Sequence, residues 1–586
     1  MDLPAIQYTI HAADVDGHRY HVTLRIANPD PAGQVLRMPA WIPGSYLIRD
    51  FSKHVESITA LAISKVGQTA LVLERIDNDT WRLPAIESSL IAIEVHTTVY
   101  AFDNSVRTAY LDQERGFFNP SSLCLAVENQ THLPTALAIA PLGHWEVHTT
   151  LCPVKTDAAG FGFYLAPNYD ALLDHPVALG RFQKIEWRSR GVPHSMVIQG
   201  CLHPVDRKRL LTDLSAICDS TIDLFDPKTK TAPFDRYLFL VNAVLSGYGG
   251  LEHRDSTALL CNRDQLPQLN TPLNEETYRE FLGLCSHEYI HAWLVKRIQP
   301  SAFQPYDLQH RNHTRLLWLF EGFTSYYDDL QLLRSNLIQL QAYLNLVAKN
   351  WNMVLRGPGR HKQSVADSSF DAWTKYYQAD ENTPNAVVSY YAKGALVALG
   401  LDLLIRSVTR QRKSLDTVMQ LLWAAHGKNQ LGLPEDGFDR IVLSAIGSDF
   451  KATWLRFKAR YIDGTADLPL EEWLRSQWIR VERKTQSPLE EMKLQWGMRF
   501  KDTNGWIAIT HVLDGGIAQL AGLAPGDMLA SLNGQRLTSS RLDTVFGSLQ
   551  FGATATLRFY RQDREQESQF VLKPSKPVIQ YQLTAL

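Results

Sequence analysis

Over the first two hundred residues the apolar positions come in short runs with partial alternation: "YHVTLRIAN", "TALVLERI", "LIAIEVHTTVYAF" and "HSMVIQGCL". Such runs of β-branched and aromatic residues predict strands, and "NPDPAG", "DND" and "APNYD" punctuate them as turns. Residues 1–200 are therefore expected to form a β-sandwich-like N-terminal domain. Over 201–480 the apolar spacing lengthens to three and four. "VDRKRLLTDLSAICDSTIDLF", "RLLWLFEGFTSYYDDLQLLRSNL" and "SYYAKGALVALGLDLLIRSVTRQ" predict helices, and "YLFLVNAVL" a buried or edge strand. Residues 481–586 return to short strands and glycine-bearing turns: "GWIAITHVL", "DMLASLNGQ", "TATLRFYRQ" and "QESQFVL". The expected fold class is multidomain α+β.

Composition narrows the classes of function. The chain has 586 residues, enough for three to four domains at about 150 residues each. Hydrophobic residues make up 45% and charged residues 20%, as in an ordinary globular protein with sizeable cores. A net charge of −2 gives no pull toward nucleic acid or anionic lipid. No run approaches the ~18 to 20 apolar residues of a membrane helix, and the start shows no basic region followed by an apolar core. Six cysteines stand singly with no C-x-x-C, which reads as free thiols in a reducing compartment. Cytoplasm is the expected location, or a secreted or periplasmic one if a leader has been removed.

The chemistry gathers in the middle of the chain. "LCSHEYIHAWLV" (284–295) holds His287, Glu288 and His291. Asn274 is a plausible N-cap, with Glu275 and Glu276 in the first turn, and the apolar stripe Phe281, Cys285, Tyr289, Trp293 predicts a helix running through Trp293. At 3.6 residues per turn His287 and His291 fall one turn apart on one face, placed to chelate one Zn²⁺. Glu288 is offset by about 100°, beside the metal without ligating it, and suited to polarise a water.

A third ligand should be a carboxylate or histidine on a nearby helix. Glu321, alone in the apolar "LWLFEGFTSYYDDL", is costly there unless paired or metal-bound; the alternative is a solvated helix face. Asp328, two turns on, reads either as an orienter of a ligating histidine or as a surface acid. In "SGYGGLEHRDS", Gly249 and Gly250 follow an apolar strand and permit close backbone approach. A strand edge there would pair with an extended peptide and aim Glu252 into the cleft to meet a free α-amine; the plain reading is a β-turn. In "SYYAKG" a tyrosine beside the metal would donate to an oxyanion, although such tyrosines also serve as core residues.

Taken together these segments resemble the glycyl aminopeptidase family, PDZ-bearing metallopeptidases related to thermolysin-like and aminopeptidase N-like zinc enzymes. "MPAWIPGSYLIRDFSKHV" resembles its N-terminal signature, "HEYIH" its zinc helix and "WLFEGFTSYYDD" the segment carrying its third ligand. "GGLEH" stands where related enzymes carry G-x-M-E-N, with Leu251 and His253 departing from that pattern. "YAKG" resembles Y-x-K-G, pointing to Tyr391 with Tyr390 as runner-up. The resemblance implies a thermolysin-like catalytic domain holding one zinc per chain on His287, His291 and Glu321, with Glu288 as base, Tyr391 at the oxyanion and Glu252 on the substrate amine. It implies an aminopeptidase releasing small N-terminal residues from peptides by a metal-activated water. A zinc endopeptidase on the same scaffold and a non-catalytic PDZ peptide-binding protein are the alternatives.

"GGIAQLAGLAPGDMLASLNGQRL" resembles a bacterial PDZ domain, with Trp496, Gly497 and Met498 at its carboxylate-binding loop. A C-terminal peptide is the ligand this implies. The chain's own "QLTAL" fits a PDZ ligand pattern at Thr584 and Leu586, so self-docking stands beside coincidence as a reading.

Overall fold

Alternation along Ile6–Asp14 and Arg19–Ile26 turns Ile6, Tyr8, Ile10, Tyr20, Val22, Leu24 and Ile26 inward. The computed structural model describes residues 4–85, 90–484, 487–574 and 579–586. They fall into two compact units, Met1–Asn312 with Arg334–Leu337 and Met419–Pro434, and His313–Leu333 with Ile338–Val418 and Glu435–Leu586.

The first unit begins with an eight-stranded sheet in which Ile6–Asp14 lies between Arg19–Ile26 (antiparallel) and Thr135–Ile139 (parallel). Two four-stranded sheets accompany it and share its core. A further sheet of five strands comes next in the chain. Its centre is Tyr237–Val244, buried along nearly its whole length, as a parallel strand covered on both faces must be. Val192–Gln199 and Ser256–Asn262 flank it in parallel. The hairpin Gln183–Ser189/Val192–Gln199, which the residue pattern groups with the N-terminal domain, thus pairs into this sheet. Gly249–Glu252 runs antiparallel to Ser256–Asn262 and is the last strand on that side.

Two helices cover the sheet, and each starts where a short polar side chain caps it. Asp206 accepts the N–H of Arg209 at the head of Arg207–Phe225, and Asn274 accepts those of Glu276 and Thr277 at the head of Glu275–Ile290. On the buried side of the second helix Tyr289 packs edge-on to Tyr237 at 4.8 Å, and its hydroxyl lies 2.9 Å from His194 Nε2. Burial pushes the His194 imidazole down to about 4. The ring is therefore neutral at physiological pH; its Nδ1–H donates to the Val192 carbonyl, and Tyr289 donates to Nε2.

In the second unit Leu317–Arg334 and Ala392–Val408 touch backbone to backbone. A β-carbon on Gly322 would lie 2.6 Å from Gly394 Cα. The glycines next to Glu321 and after Tyr391 thereby let the two helices meet. Farther along, Met498–Thr503 forms one edge of a sheet that continues through Trp506–Val512, Met528–Leu532, Thr554–Arg561 and Arg564–Val571. Its core includes Ile507, Leu529, Leu557 and Trp496, the last stacked on Phe546 at 4.8 Å. The architecture is multidomain α+β: β-rich at the N-terminus, largely helical in the middle and β-rich again at the C-terminus.

The closing residues do not lie along the Met498–Thr503 edge. Tyr581–Ala585 pairs antiparallel with Ile479–Arg483. Tyr581 stacks on Trp351 at 4.0 Å, Leu583 is fully buried, and Asn352 and Gln341 bond the strand's backbone. In this arrangement the tail is a structural strand paired with Ile479–Arg483 rather than a ligand along the Met498–Thr503 edge. No helix among the described residues is long and apolar enough to cross a membrane.

Candidate metal centre

The helix predicted through Trp293 ends earlier, at Ile290, with His291 as its C-cap. Beyond it the chain tightens into turns: the N–H of Ala292 bonds Tyr289, and that of Trp293 bonds Ile290. Val295 then adopts φ +83°, uncommon for a β-branched residue. This break brings the Leu294 carbonyl within 3.1 Å of His291 Nδ1. A carbonyl only accepts, so Nδ1 carries the proton and Nε2 is the nitrogen whose lone pair can meet a metal. The His287 and His291 rings stand 4.7 Å apart at 85°, as the one-turn spacing requires.

Glu252 ends the edge strand Gly249–Glu252. Donor atoms of Glu252, Glu288 and His291 all lie within 4.8 Å of one another, and all three residues are buried. Two buried carboxylates that close repel each other and call for a cation between or beside them. Glu252 Oε1 has no hydrogen-bond partner among the described residues. A histidine that presents the Nε2 lone pair beside this negative charge fits a divalent cation that accepts a nitrogen ligand, as zinc does.

The glycines of this strand have distinct reasons. Gly249 has φ +151°, and a β-carbon on Gly250 would fall inside the Glu288 side chain. Two contacts here escape a reading of the sequence. Arg107 donates to the Gly250 carbonyl at 3.2 Å. Gly44, in "WIPGSYL" at φ +97°, leaves only enough room for Glu252, whose carboxylate would lie 2.7 Å from a β-carbon there. Both come from more than a hundred residues away; Gly44 lies in the stretch that resembles an N-terminal signature, but nothing in either segment ties it to Glu252.

His253, in the place of the asparagine of related enzymes, is buried and bonds Asp174 through Nδ1 at 3.3 Å. Asp174 also pairs with Lys296 at 2.6 Å. Burial alone would raise the Asp174 carboxyl, but Lys296, His253 and Arg254 outweigh it and hold it well below the usual carboxylate range. Burial lowers the His253 pKa, against the pull of Asp174. These residues wall a cavity of about 370 Å³ together with Tyr306 and Gln299.

In the second unit Glu321 is buried, 3% exposed, in the apolar helix Leu317–Arg334. Burial pushes the Tyr390 phenol well above its ordinary value, with Tyr377 and the Glu321 charge adding to it. Tyr390 is buried, and its interaction with the Tyr391 hydroxyl offsets part of that rise. Tyr391 caps the helix Ala392–Val408, and its hydroxyl lies 3.3 Å from that of Tyr377. Asp328 is half-buried on the Glu321 helix, its carboxylate accepting the Asp329 N–H at 2.6 Å. At the PDZ loop, Trp496 ends the helix Pro488–Trp496, Gly497 takes φ +60° as its C-cap, and Met498 opens the edge strand.

Comparison with known proteins gives three family matches: the Peptidase M61 N-terminal domain over residues 7–181, M61 glycyl aminopeptidase over 280–397, and the PDZ domain over 489–550. Among solved structures, an aminopeptidase N family protein from Idiomarina loihiensis is similar at 37% identity and TM-score 0.92, covering 99% of this chain and 98% of its own. An M1 zinc metallopeptidase from Deinococcus radiodurans aligns at 11% identity and TM-score 0.46, over 79% of this chain and 93% of its own. No curated protein matches the chain.

Proposed function

The chain belongs to the M61 glycyl aminopeptidase family and is a zinc metallopeptidase, and from that premise we propose that it removes small N-terminal residues, such as glycine and alanine, from peptides. The observation that carries this reading is the buried trio of Glu252, Glu288 and His291 at the end of an edge strand. His287, His291 and Glu321 are the residues that would hold one Zn²⁺ per chain. In support, His291 has its Nδ1 committed to Leu294, and Glu321 is an acid buried in an apolar helix. Bound zinc supplies Lewis acidity that polarises the scissile carbonyl and lowers the pKa of a water.

The remaining work falls to side chains. Glu288 takes the proton from the attacking water and returns it to the leaving amine. Tyr391 donates to the oxyanion as it forms. The edge strand Gly249–Glu252 pairs with the extended substrate. Glu252 closes the end of that track, and its unpartnered Oε1 accepts from the α-ammonium, setting cleavage one residue in. Asp328 is the orienter proposed for a ligating histidine. At the PDZ domain, Trp496, Gly497 and Met498 form the loop proposed to receive the carboxylate of a C-terminal peptide. The six cysteines stand free, which favours the cytoplasm.

The test is a panel of aminoacyl reporters run with and without a chelator. Glycyl and alanyl reporters should be cleaved fastest, with activity lost to the chelator and restored by Zn²⁺. Cleavage indifferent to the chelator, or absent for every free-amine substrate, overturns the reading.

A further inference from the structure

Tyr377 reaches the Tyr391 phenol by an unusual backbone. Ala372–Tyr376 is a π-helical turn, and the Tyr377 N–H bonds the Ala372 carbonyl five residues back, at 3.0 Å. Such a turn holds one more residue than an α-turn and swings the next side chain to a new direction; π-turns are frequent at functional sites. Here it presents the Tyr377 hydroxyl to Tyr391, with the oxygens 3.3 Å apart. The Tyr391 ring is held from two other sides, by Tyr390 at 4.7 Å and 29° and by Tyr376 at 5.7 Å and 28°. Tyr376 is in turn bonded to Ser389 Oγ at 3.0 Å. Ring packing fixes where the Tyr391 oxygen lies, but not where its single hydrogen points.

A phenol has one O–H to give and lone pairs to receive. If Tyr391 is to donate to a substrate oxygen, it must be the acceptor in its bond with Tyr377. We propose that Tyr377 is a positioning residue for Tyr391: its hydroxyl donates to the Tyr391 oxygen and so turns the Tyr391 hydrogen toward the reacting carbonyl. A donated hydrogen bond also polarises the O–H it meets, making Tyr391 a stronger donor. This deepens the proposed function and rests on its assignment of Tyr391 to the oxyanion.

The experiment is a double-mutant cycle with Tyr377→Phe and Tyr391→Phe, following kcat and KM on a glycyl reporter, with zinc content and thermal melting as controls. Loss of one neutral hydrogen bond predicts that Tyr377→Phe lowers kcat about three- to tenfold, with KM, zinc content and melting unchanged. Tyr391→Phe alone should lower kcat roughly a hundredfold or more. The double variant should match Tyr391→Phe, because Tyr377 acts only through it. An unchanged kcat in Tyr377→Phe, a loss that multiplies with that of Tyr391→Phe, or a change confined to KM overturns the proposal. A fully active Tyr391→Phe would instead overturn the oxyanion assignment, and this proposal with it. A lowered melting temperature in Tyr377→Phe would call for Tyr377→Gln, which restores a donor; failure of that variant to recover kcat also counts against the role.

Discussion

No side chain fits on Gly250, because Glu288 occupies the space: a β-carbon there would lie 2.1 Å from Oε1 and 2.2 Å from Cδ of the glutamate. The edge strand and the proposed base are thus shaped to one another. Gly250→Ala should force Glu288 into another rotamer and lower kcat by about a hundredfold, the scale of a 1 Å misplacement. Metal analysis should find zinc content unchanged, since the displaced group is not a proposed ligand. Wild-type kcat in Gly250→Ala would show that the Glu288 position observed here is not the working one.

Glu288→Gln keeps the shape and removes the proposed base. We expect turnover to fall by at least a hundredfold while zinc binding and melting stay near wild type. Steady-state rates beside metal analysis check this, and a near-normal kcat would move the base elsewhere.

Asp174 holds Lys296, His253 and Arg254 at the back of the Glu252 loop. Asp174→Asn would leave Lys296, almost wholly buried, without its partner charge; breaking a buried pair costs about 3–5 kcal/mol. The urea midpoint should fall accordingly. Because the folded-state pKa of Asp174 is depressed, its contribution is present above the unfolded carboxylate value of about 3.9 and is lost as pH falls toward the folded value. Wild type should therefore lose more stability below pH ~4 than the variant does.

The tail offers a separate test. Removing residues 581–586 takes away Leu583 and the Tyr581–Trp351 stack, burial worth roughly 1.5–3 kcal/mol per large side chain. Calorimetry should show an earlier first transition. Affinity of the PDZ domain for an added C-terminal peptide should not change; a gain would mean that the tail competes for that groove.

Much of the candidate metal helix can be read from residue order. The Asn274 cap, the one-turn spacing of His287 and His291, and the isolated acid Glu321 are local patterns, and local patterns track helical geometry. The break after His291 is not visible there, because Ala292, Trp293 and Leu294 continue the apolar pattern while the backbone leaves the helix. Nor can spacing say why Gly322 and Gly394 are glycines: the reason is each other, across two helices. Arg107 and Gly44 reach the Gly249–Glu252 strand through the N-terminal fold, and although the Gly44 stretch stands out as a signature, no pattern in it pairs it with Glu252. Residue order also does not separate Tyr391 from Tyr390: both stand in the same apolar segment, one buried and the other beside the Tyr377 phenol.

In the proposed function, cleavage is measured from a free amine held by Glu252. The direct measurement compares kcat/KM for one glycyl peptide with a free and an acetylated N-terminus, in wild type and Glu252→Ala. Wild type should strongly prefer the free amine, and Glu252→Ala should lose that preference through loss of the free-amine rate alone. Equal cleavage of both peptides by wild type, or an equal loss on both in Glu252→Ala, would contradict it.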